Sequence, residues 1–266
     1  MKKLIIPFLL ALIFFTQSFA QTVDEILAEH FAVVGQEKLL ETETFSTKGK
    51  IIQGQFEIPF TSYHKKPFFF KSEASFQGME IVSAFNGETG WTINPFTGNS
   101  DPQPLTEEQT DRMFMQADYD GIFYNYEQNG DKLEYVGTEE LDDIEVYVLK
   151  LTRANGDVVD SYIDAENYVV LKTKSKMNVQ GVESEAETIF GNYKYVDEML
   201  NPFAMETKVN GETMMQMVFD EITYNVDIDN SIFEMPEVTA PTDSLESETE
   251  MEIESETEPE TKEKPE

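Results

Sequence analysis

The chain has 266 residues, no cysteine and a formal net charge of −33 at pH 7. The absence of cysteine excludes disulfides, thiolate metal sites and thiol catalysis. A surface this negative repels nucleic acids and anionic headgroups, so the sequence predicts no nucleic-acid partner and no stable membrane insertion. The length is sufficient for a sizeable hydrophobic core.

Residues 1–20 have the features of a secretory signal peptide. Two lysines follow the initiator methionine, and an apolar run extends over residues 4–15. The small residues Ser18 and Ala20 lie just before the expected cleavage site. The apolar run is shorter than the roughly 20 residues needed to cross a bilayer. The sequence therefore predicts cleavage after Ala20 and a periplasmic mature protein. A retained membrane anchor is the alternative.

The mature chain opens with a helix signal. Thr22 and Glu25 are spaced as a capping box, and apolar residues follow on one helical face as far as Gly35. A short second helix is expected at about residues 37–41. His30 lies on the apolar side of the first helix, which predicts a core or capping position rather than a catalytic one.

From Phe45 the hydrophobic period changes to two, which is typical of strands. Segments of alternating pattern, separated by short turns rich in Gly, Pro and Asn, predict about eleven strands as far as Tyr224. Short connections indicate antiparallel neighbours. Regular helices between the strands are missing, which excludes a doubly wound α/β fold. The predicted fold class is therefore mainly β (α+β).

One helical insert interrupts the strands. Residues 94–104 are rich in turn-forming residues, and a helix capped by Thr106 and Gln109 is expected to continue to about Ala117. The aromatic residues 121–126 that follow fit either a short helix or a lid-like loop. This insert is the predicted cover for one side of the sheet.

The end of the chain is highly acidic. After residue 238 it repeats Glu with Ser, Thr and Pro, a composition that cannot bury enough apolar surface to fold. The sequence therefore predicts one folded domain over residues 21–238 and a disordered acidic tail over residues 239–266.

The sequence contains no catalytic or metal-binding constellation. There are only two histidines and no Gly-x-Ser-x-Gly motif, and the Lys-rich turn around His64 predicts a solvated ring. Asp227, Asp229 and Ser231 are spaced like the start of a calcium loop, but the later Gly and Glu are missing. The sequence therefore predicts a protein that is not an enzyme and has no cofactor and no metal site.

Phenylalanine and methionine are plentiful, with 20 and 12 residues against a single Trp. Methionine adapts to irregular apolar partners. Met214, Met215 and Met217 cluster on one late strand, with Met205 on its expected neighbour. A curled antiparallel sheet can enclose a ligand between its concave face and a covering helix. The alternative is that these side chains simply fill a core.

Several segments follow an order that resembles a known family. They are Val33-Val34-Gly35-Gln36, Lys48-Gly49-Lys50, Phe85-Asn86-Gly87-Glu88-Thr89-Gly90-Trp91, Leu133-Glu134-Tyr135-Val136-Gly137, Tyr162-Ile163-Asp164 and Ile232-Phe233-Glu234-Met235-Pro236. Over about residues 22–237 the chain resembles the outer-membrane lipoprotein-sorting proteins of the LolA/LolB-like superfamily, in the version found in Bacteroidetes. The resemblance implies an incomplete, strongly curved antiparallel β-barrel with covering helices and an apolar cavity.

The resemblance also implies a function, because members of that family carry the acyl chains of lipoproteins or other lipids across the periplasm. The expected cavity lining consists of Phe56, Phe60, Phe68, Phe70, Phe76, Ile81, Phe85, Trp91, Met113 and Phe114. The expected partners of this monomeric carrier are acyl chains and basic membrane proteins. Two alternatives stay open: a non-catalytic envelope scaffold or adaptor that binds a protein through its acidic surface, and a hydrolase with carboxylates in a cleft.

Overall fold

A computed structural model describes residues 21–179 and 182–237, without the side chains of residues 177–179 and 182–183. The predicted signal peptide of residues 1–20 and the predicted acidic tail of residues 239–266 lie outside the described residues. The chain divides into two units, residues 1–235 and 236–266, and all the helices and strands belong to the first.

The helices begin and end where the capping signals predict. They are α1 (Val23–Val34), α2 (Gln36–Glu41) and α3 (Glu107–Ala117). The Thr22 hydroxyl accepts a hydrogen bond from the Glu25 backbone N–H, and the Glu25 carboxylate accepts one from the Thr22 N–H. Gly35 ends α1 with a φ of 75°, a conformation that glycine adopts without strain. Both capping boxes, at Thr22 and Thr106, are confirmed.

In the described part of the chain, thirteen strands form one antiparallel sheet. They are β1 (Thr44–Gln53), β2 (Phe56–Lys65), β3 (Phe69–Phe76), β4 (Met79–Asn86), β5 (Gly90–Asn94), β6 (Asn99–Pro104), β7 (Lys132–Leu141), β8 (Ile144–Thr152), β9 (Val158–Asp164), β10 (Val170–Val179), β11 (Val182–Val196), β12 (Met199–Val209) and β13 (Glu212–Tyr224). Their order is β6-β5-β4-β3-β2-β1-β13-β12-β11-β10-β9-β8-β7. The sheet is strongly curved and does not close, because β6 and β7 form its two edges.

The predicted number of about eleven strands is too low. One additional strand, β6, lies in the turn-rich residues 94–104, where Gln103 pairs with Thr92 of β5. Proline is tolerated there because an edge strand leaves half of its backbone groups unpaired. The aromatic residues 121–126 form turns rather than a helix, and Phe123 is buried against α1.

All three helices lie on one face of the sheet, which we call the inner face. Met113 of α3 packs against Phe85 of β4, and Ile26 of α1 packs in a cluster with Leu149 of β8. Leu39 of α2 packs against a cluster on β12 and β13. Directly paired residues share a face of an antiparallel sheet, and the strand register links these three clusters through one continuous face.

The opposite face, which we call the outer face, is covered at β3–β5 by the 3₁₀ turn Asn230–Phe233. Phe233 is fully buried, and its ring centroid lies 5.2 Å from that of Phe69. The Trp91 indole N–H donates a hydrogen bond of 2.9 Å to the Phe233 carbonyl oxygen. The structured end of the domain is therefore anchored on the outer face.

Gly49 allows the close approach of β1 and β13 at a shift in their register. A Cβ at Gly49 would collide with the Val218 carbonyl oxygen and lie 3.1 Å from Cε1 of Phe60. We therefore expect Gly49→Ala to lower the free energy of unfolding by about 2 kcal/mol, measured by urea denaturation. Gly191→Ala is the control, since no atom lies within 4 Å of its added Cβ. Equal midpoints for the two variants would contradict the close approach.

Candidate functional site

On six strands the strand register assigns one charged residue to the inner face, Glu212 at the start of β13, which pairs with Val209, and the other assigned positions are uncharged. These positions are Phe45, Thr47, Gly49, Ile51 and Gln53 on β1, Phe56, Ile58, Phe60, Ser62 and His64 on β2, Phe70, Ser72, Ala74 and Phe76 on β3, Met79, Ile81, Ser83 and Phe85 on β4, Met199, Asn201, Phe203, Met205, Thr207 and Val209 on β12, and Met215, Met217, Phe219, Ile222 and Tyr224 on β13. The whole chain has 52 acidic and 19 basic residues. Apart from Glu212, the charged side chains that the register places on these strands therefore lie on the other side of the sheet.

The outer face carries the charges of the same strands. Lys48 of β1 pairs with Glu221 of β13 at 3.1 Å, and Lys50 pairs with Glu57 at 2.8 Å. These side chains are largely exposed, so each pair adds little to stability. The charged pairs of these strands therefore lie on the solvent-exposed part of the outer face, opposite the apolar and neutral groups of the inner face.

Half of the predicted lining residues meet beneath α3, where they fill the space with their own side chains. Phe85 is 1 % exposed, and Phe70 and Met113 are buried beside it. Phe68 packs on Phe114, with ring centroids 4.4 Å apart. This group of five residues is a packed cluster that holds α3 on the sheet.

Three other predicted residues lie at the opposite end of β2–β4 from α3. Phe56 is 43 % exposed, and its ring centroid lies 5.1 Å from that of Phe76. Phe76 and Ile81 are half-buried. Phe60 lies between this end and the packed cluster, buried against Phe219 at 5.8 Å between ring centroids. The apolar surface at this end of β2–β4, which α3 does not cover, thus stays partly exposed to solvent.

The open apolar surface continues across the sheet through residues that the sequence did not single out as lining. Ile51 pairs with both Ile58 and Met217, Met217 pairs with Met205, and Met205 pairs with Phe190 of β11. All five are half-buried. The alternation of β1 and β2 and the methionine cluster were visible in the sequence, but their pairing across β1 and β13 was not.

We call these half-exposed inner-face residues the apolar band. Its members are Ile51, Phe56, Ile58, Phe76, Ile81, Phe190, Met205 and Met217. The band is a continuous strip of exposed apolar surface on the helix-bearing side of the sheet.

Trp91 is separated from the other predicted lining residues. It pairs with Ala84, whose side chain points to the opposite face from its neighbour Phe85. Trp91 packs with Val82 and Ala84 on the outer face, beneath Phe233. The structure therefore does not bring Trp91 together with the apolar band.

The prediction of a solvated His64 is wrong. Its ring stacks on Phe45 with centroids 4.1 Å apart and meets the edge of Phe70 at 4.8 Å. Its Nδ1 atom is buried and has no hydrogen-bond partner among the described residues. Burial lowers the pKa of His64 to about 3. The predicted core position of His30 is confirmed, since its Nδ1 lies 2.7 Å from the Tyr168 carbonyl oxygen.

The buried His64 should make stability depend on pH. Its pKa is lower in the folded state than the value near 6.5 of an unfolded chain, so the unfolded state binds the proton first and stability is lost as the pH falls from about 6.5 towards 3. We expect this group alone to remove roughly 2 kcal/mol at about pH 5. His64→Phe fits the aromatic stack and should lose that part of the dependence. Urea denaturation of both proteins near neutral pH and at about pH 5 measures the difference in stability. An identical loss of stability in the two proteins would contradict the expected role of His64.

None of the helices within residues 21–179 and 182–237 has the length and apolar character of a membrane-spanning segment. No group of three or more His, Asp and Glu side chains in the same residues is arranged to hold a metal ion. Asp229 instead caps the 3₁₀ turn by accepting a hydrogen bond from the Ser231 N–H at 2.8 Å.

Comparison with known proteins finds likeness in fold rather than in sequence. No model of a protein family matches the chain, and no curated protein matches it. A DUF1329 family protein from Desulfovibrio piger has a TM-score of 0.54 and 15% identity, covering 79% of this chain and 97% of its own. A LolA superfamily protein from Nitrosomonas europaea has a TM-score of 0.54 and 13% identity, covering 81% and 98%.

A third similar structure is a domain from Vibrio parahaemolyticus that is named as an outer-membrane lipoprotein-sorting domain. It has a TM-score of 0.50 and 13% identity, and covers 76% of this chain and 95% of its own. Identities this low carry information on fold alone, and the relation to the Bacteroidetes version stays a prediction. The described part of the chain has the LolA-like fold, as the order of its sequence segments predicted.

Proposed function

We propose that the protein is a non-catalytic periplasmic carrier that binds the acyl chains of a lipoprotein or another lipid on the apolar band. The observation that carries the proposal is the separation of charge between the two faces of the sheet. In a chain with a net charge of −33, all eight residues of the apolar band are uncharged, and Glu212 is the one charged residue that the register places on the inner face of β1–β4, β12 and β13. Exposed apolar patches of this kind mark binding surfaces.

The band suits an acyl chain energetically. Each CH₂ group removed from water contributes about 0.8 kcal/mol, so a chain of several carbons gains enough to bind a surface that is only partly enclosed. Met205 and Met217 lie at its centre and can adapt to different chain positions. The acidic exterior keeps the protein away from anionic membranes and favours basic partner proteins.

The predicted lining residues take different parts in this proposal. Phe56, Phe76 and Ile81 form part of the binding surface, and the buried Phe60 lies between this surface and the packed cluster. The packed cluster of Phe68, Phe70, Phe85, Met113 and Phe114 forms the end wall under α3. Trp91 supports the sheet from the outer face. The acyl chain is therefore expected to bind at the open end of the inner face rather than beneath α3.

Uptake of a fluorescent fatty-acyl probe by the delipidated protein tests the proposal. We expect saturable binding with increased emission, because the probe leaves water for an apolar surface. Native mass spectrometry of protein purified from its own envelope should show co-purifying lipid or lipoprotein. If neither experiment detects a lipid, the carrier proposal fails and a scaffold that binds proteins through its acidic surface becomes the better explanation.

A further inference from the structure

A row of hydroxyl groups crosses the inner face beside the apolar band. Thr207 of β12 pairs with Thr188 of β11, Thr188 pairs with Thr173 of β10, and Thr173 pairs with Ser161 of β9. We call these four residues the hydroxyl row. Thr207 lies on the same face and strand as Met205, two residues away, so the row begins at the band.

The hydroxyl row lacks the hydrogen bonds that such groups normally make. Ser161 is fully buried, and its Oγ has no partner among the described residues. The three threonines are half-buried, and their hydroxyls make no side-chain hydrogen bond within residues 21–179 and 182–237. An unpaired buried hydroxyl destabilises the folded state, and within the row this applies to Ser161 alone. The hydroxyls of the three half-buried threonines are not among the buried unpaired atoms of the described residues, and they can donate to a ligand that presents an acceptor.

The charges around the row disfavour an anionic ligand. The inner-face cation nearest in sequence, Lys194 of β11, is exposed, and its Nζ lies 4.4 Å from the centroid of the Phe203 ring at the far end of the strand. The lysines of β10 that pair with β11, Lys172 and Lys174, point to the outer face and contact Glu187. A carboxylate or phosphate on the inner face would therefore be desolvated beside neutral hydroxyls, within a chain of net charge −33.

We propose that the protein selects lipids whose polar linkage is uncharged, and that the hydroxyl row donates hydrogen bonds to the carbonyl oxygens of acyl esters. This inference rests on the proposed function, since the acyl chain lies on the apolar band and the ester follows it onto the row. Hydroxyls are good donors to a neutral carbonyl, and unlike Arg or Lys they attract no free carboxylate. The selected ligand class is the neutral acyl ester rather than the ionised fatty acid.

Competition against an uncharged apolar fluorescent dye bound to the protein tests the selectivity. The competitors are 1-decanoylglycerol and decanoate at about pH 8, where the carboxyl group is ionised. Because both have the same acyl chain, we expect the ester to displace the dye at a concentration about tenfold lower or more. If the dye itself does not bind, the proposed function fails. If the dye binds and both competitors act equally, only the ester selectivity fails.

The double variant Thr173→Val and Thr188→Val removes two hydroxyls of the row while conserving side-chain shape. We expect it to weaken displacement by 1-decanoylglycerol about tenfold and to leave dye binding unchanged. Thr61→Val is the control, because Thr61 pairs with Lys48 and Glu73 on the outer face. If the double variant binds the ester as the unmodified protein does, the hydroxyl row takes no part in recognition. Circular dichroism and urea denaturation establish that both variants are folded.

Discussion

Ala74→Glu should abolish acyl-chain binding while leaving the protein folded. Ala74 lies on the inner face, paired with Phe60 on one side and Ile81 on the other. A carboxylate there would lie against the apolar band and lose its hydration whenever a chain bound, a cost that far exceeds the gain from a few CH₂ groups. We expect affinity for an uncharged fatty-acyl probe to fall more than about tenfold, or about 1.4 kcal/mol. Fluorescence titration measures it.

Ser75→Glu is the matched control for that variant. Ser75 is the next residue of β3, and it is exposed on the outer face opposite Glu80. The two variants add the same charge one residue apart, but on opposite sides of the sheet. Binding should survive in Ser75→Glu. If both variants lose affinity for the probe equally, the inner face is not the binding surface. If both variants keep their affinity, the acyl chain binds elsewhere.

Phe85→Ala is expected to cause the largest loss of stability among single substitutions beneath α3. Phe85 is 1 % exposed and packs with Phe70, Met113 and Ala117. Truncation removes buried apolar surface and leaves a cavity, which for phenylalanine costs about 3–5 kcal/mol. Urea denaturation, followed by the emission of Trp91 on the outer face of the neighbouring strand, measures the change.

Phe114→Ala provides the comparison for Phe85→Ala. Phe114 belongs to the same packed cluster but is 42 % exposed, and its ring contacts Phe68. Because it buries less surface and can leave a space open to water, its truncation should cost about 1 kcal/mol. A loss from Phe85→Ala no greater than this would show that α3 is not docked on Phe85.

The local signals of the sequence were reliable because their physical cause is local. The capping boxes at Thr22 and Thr106 need only a hydroxyl and a side chain three residues later, and Gly35 ends α1 through its own backbone freedom. The alternation on β2 and β3 identified which residues share a face, because successive strand residues point to opposite sides. The missed strand β6 depends on its partner β5 rather than on its own composition.

The candidate site was only partly predictable from the sequence. Phe56, Phe76 and Ile81 were identified as lining, but their continuation to Met217 and Phe190 depends on the pairing of β1 with β13. Trp91 was included with the inner residues because alternation does not say which face of a strand is covered. A shift of one residue in pairing moves every side chain to the other face, and only the register with β4 decides it.

By itself, the amino-acid sequence determined the class of protein: an acidic, cysteine-free, mainly antiparallel β chain with capped helices and apolar strand faces. These properties follow from composition and from interactions between near neighbours. Tertiary structure alone decided that His64 is buried in an aromatic stack, that the uncharged residues of the apolar band come together on one face of the sheet, and that the described residues leave part of that face uncovered. Those features depend on contacts between residues far apart in the chain, which form only when the strands take their register.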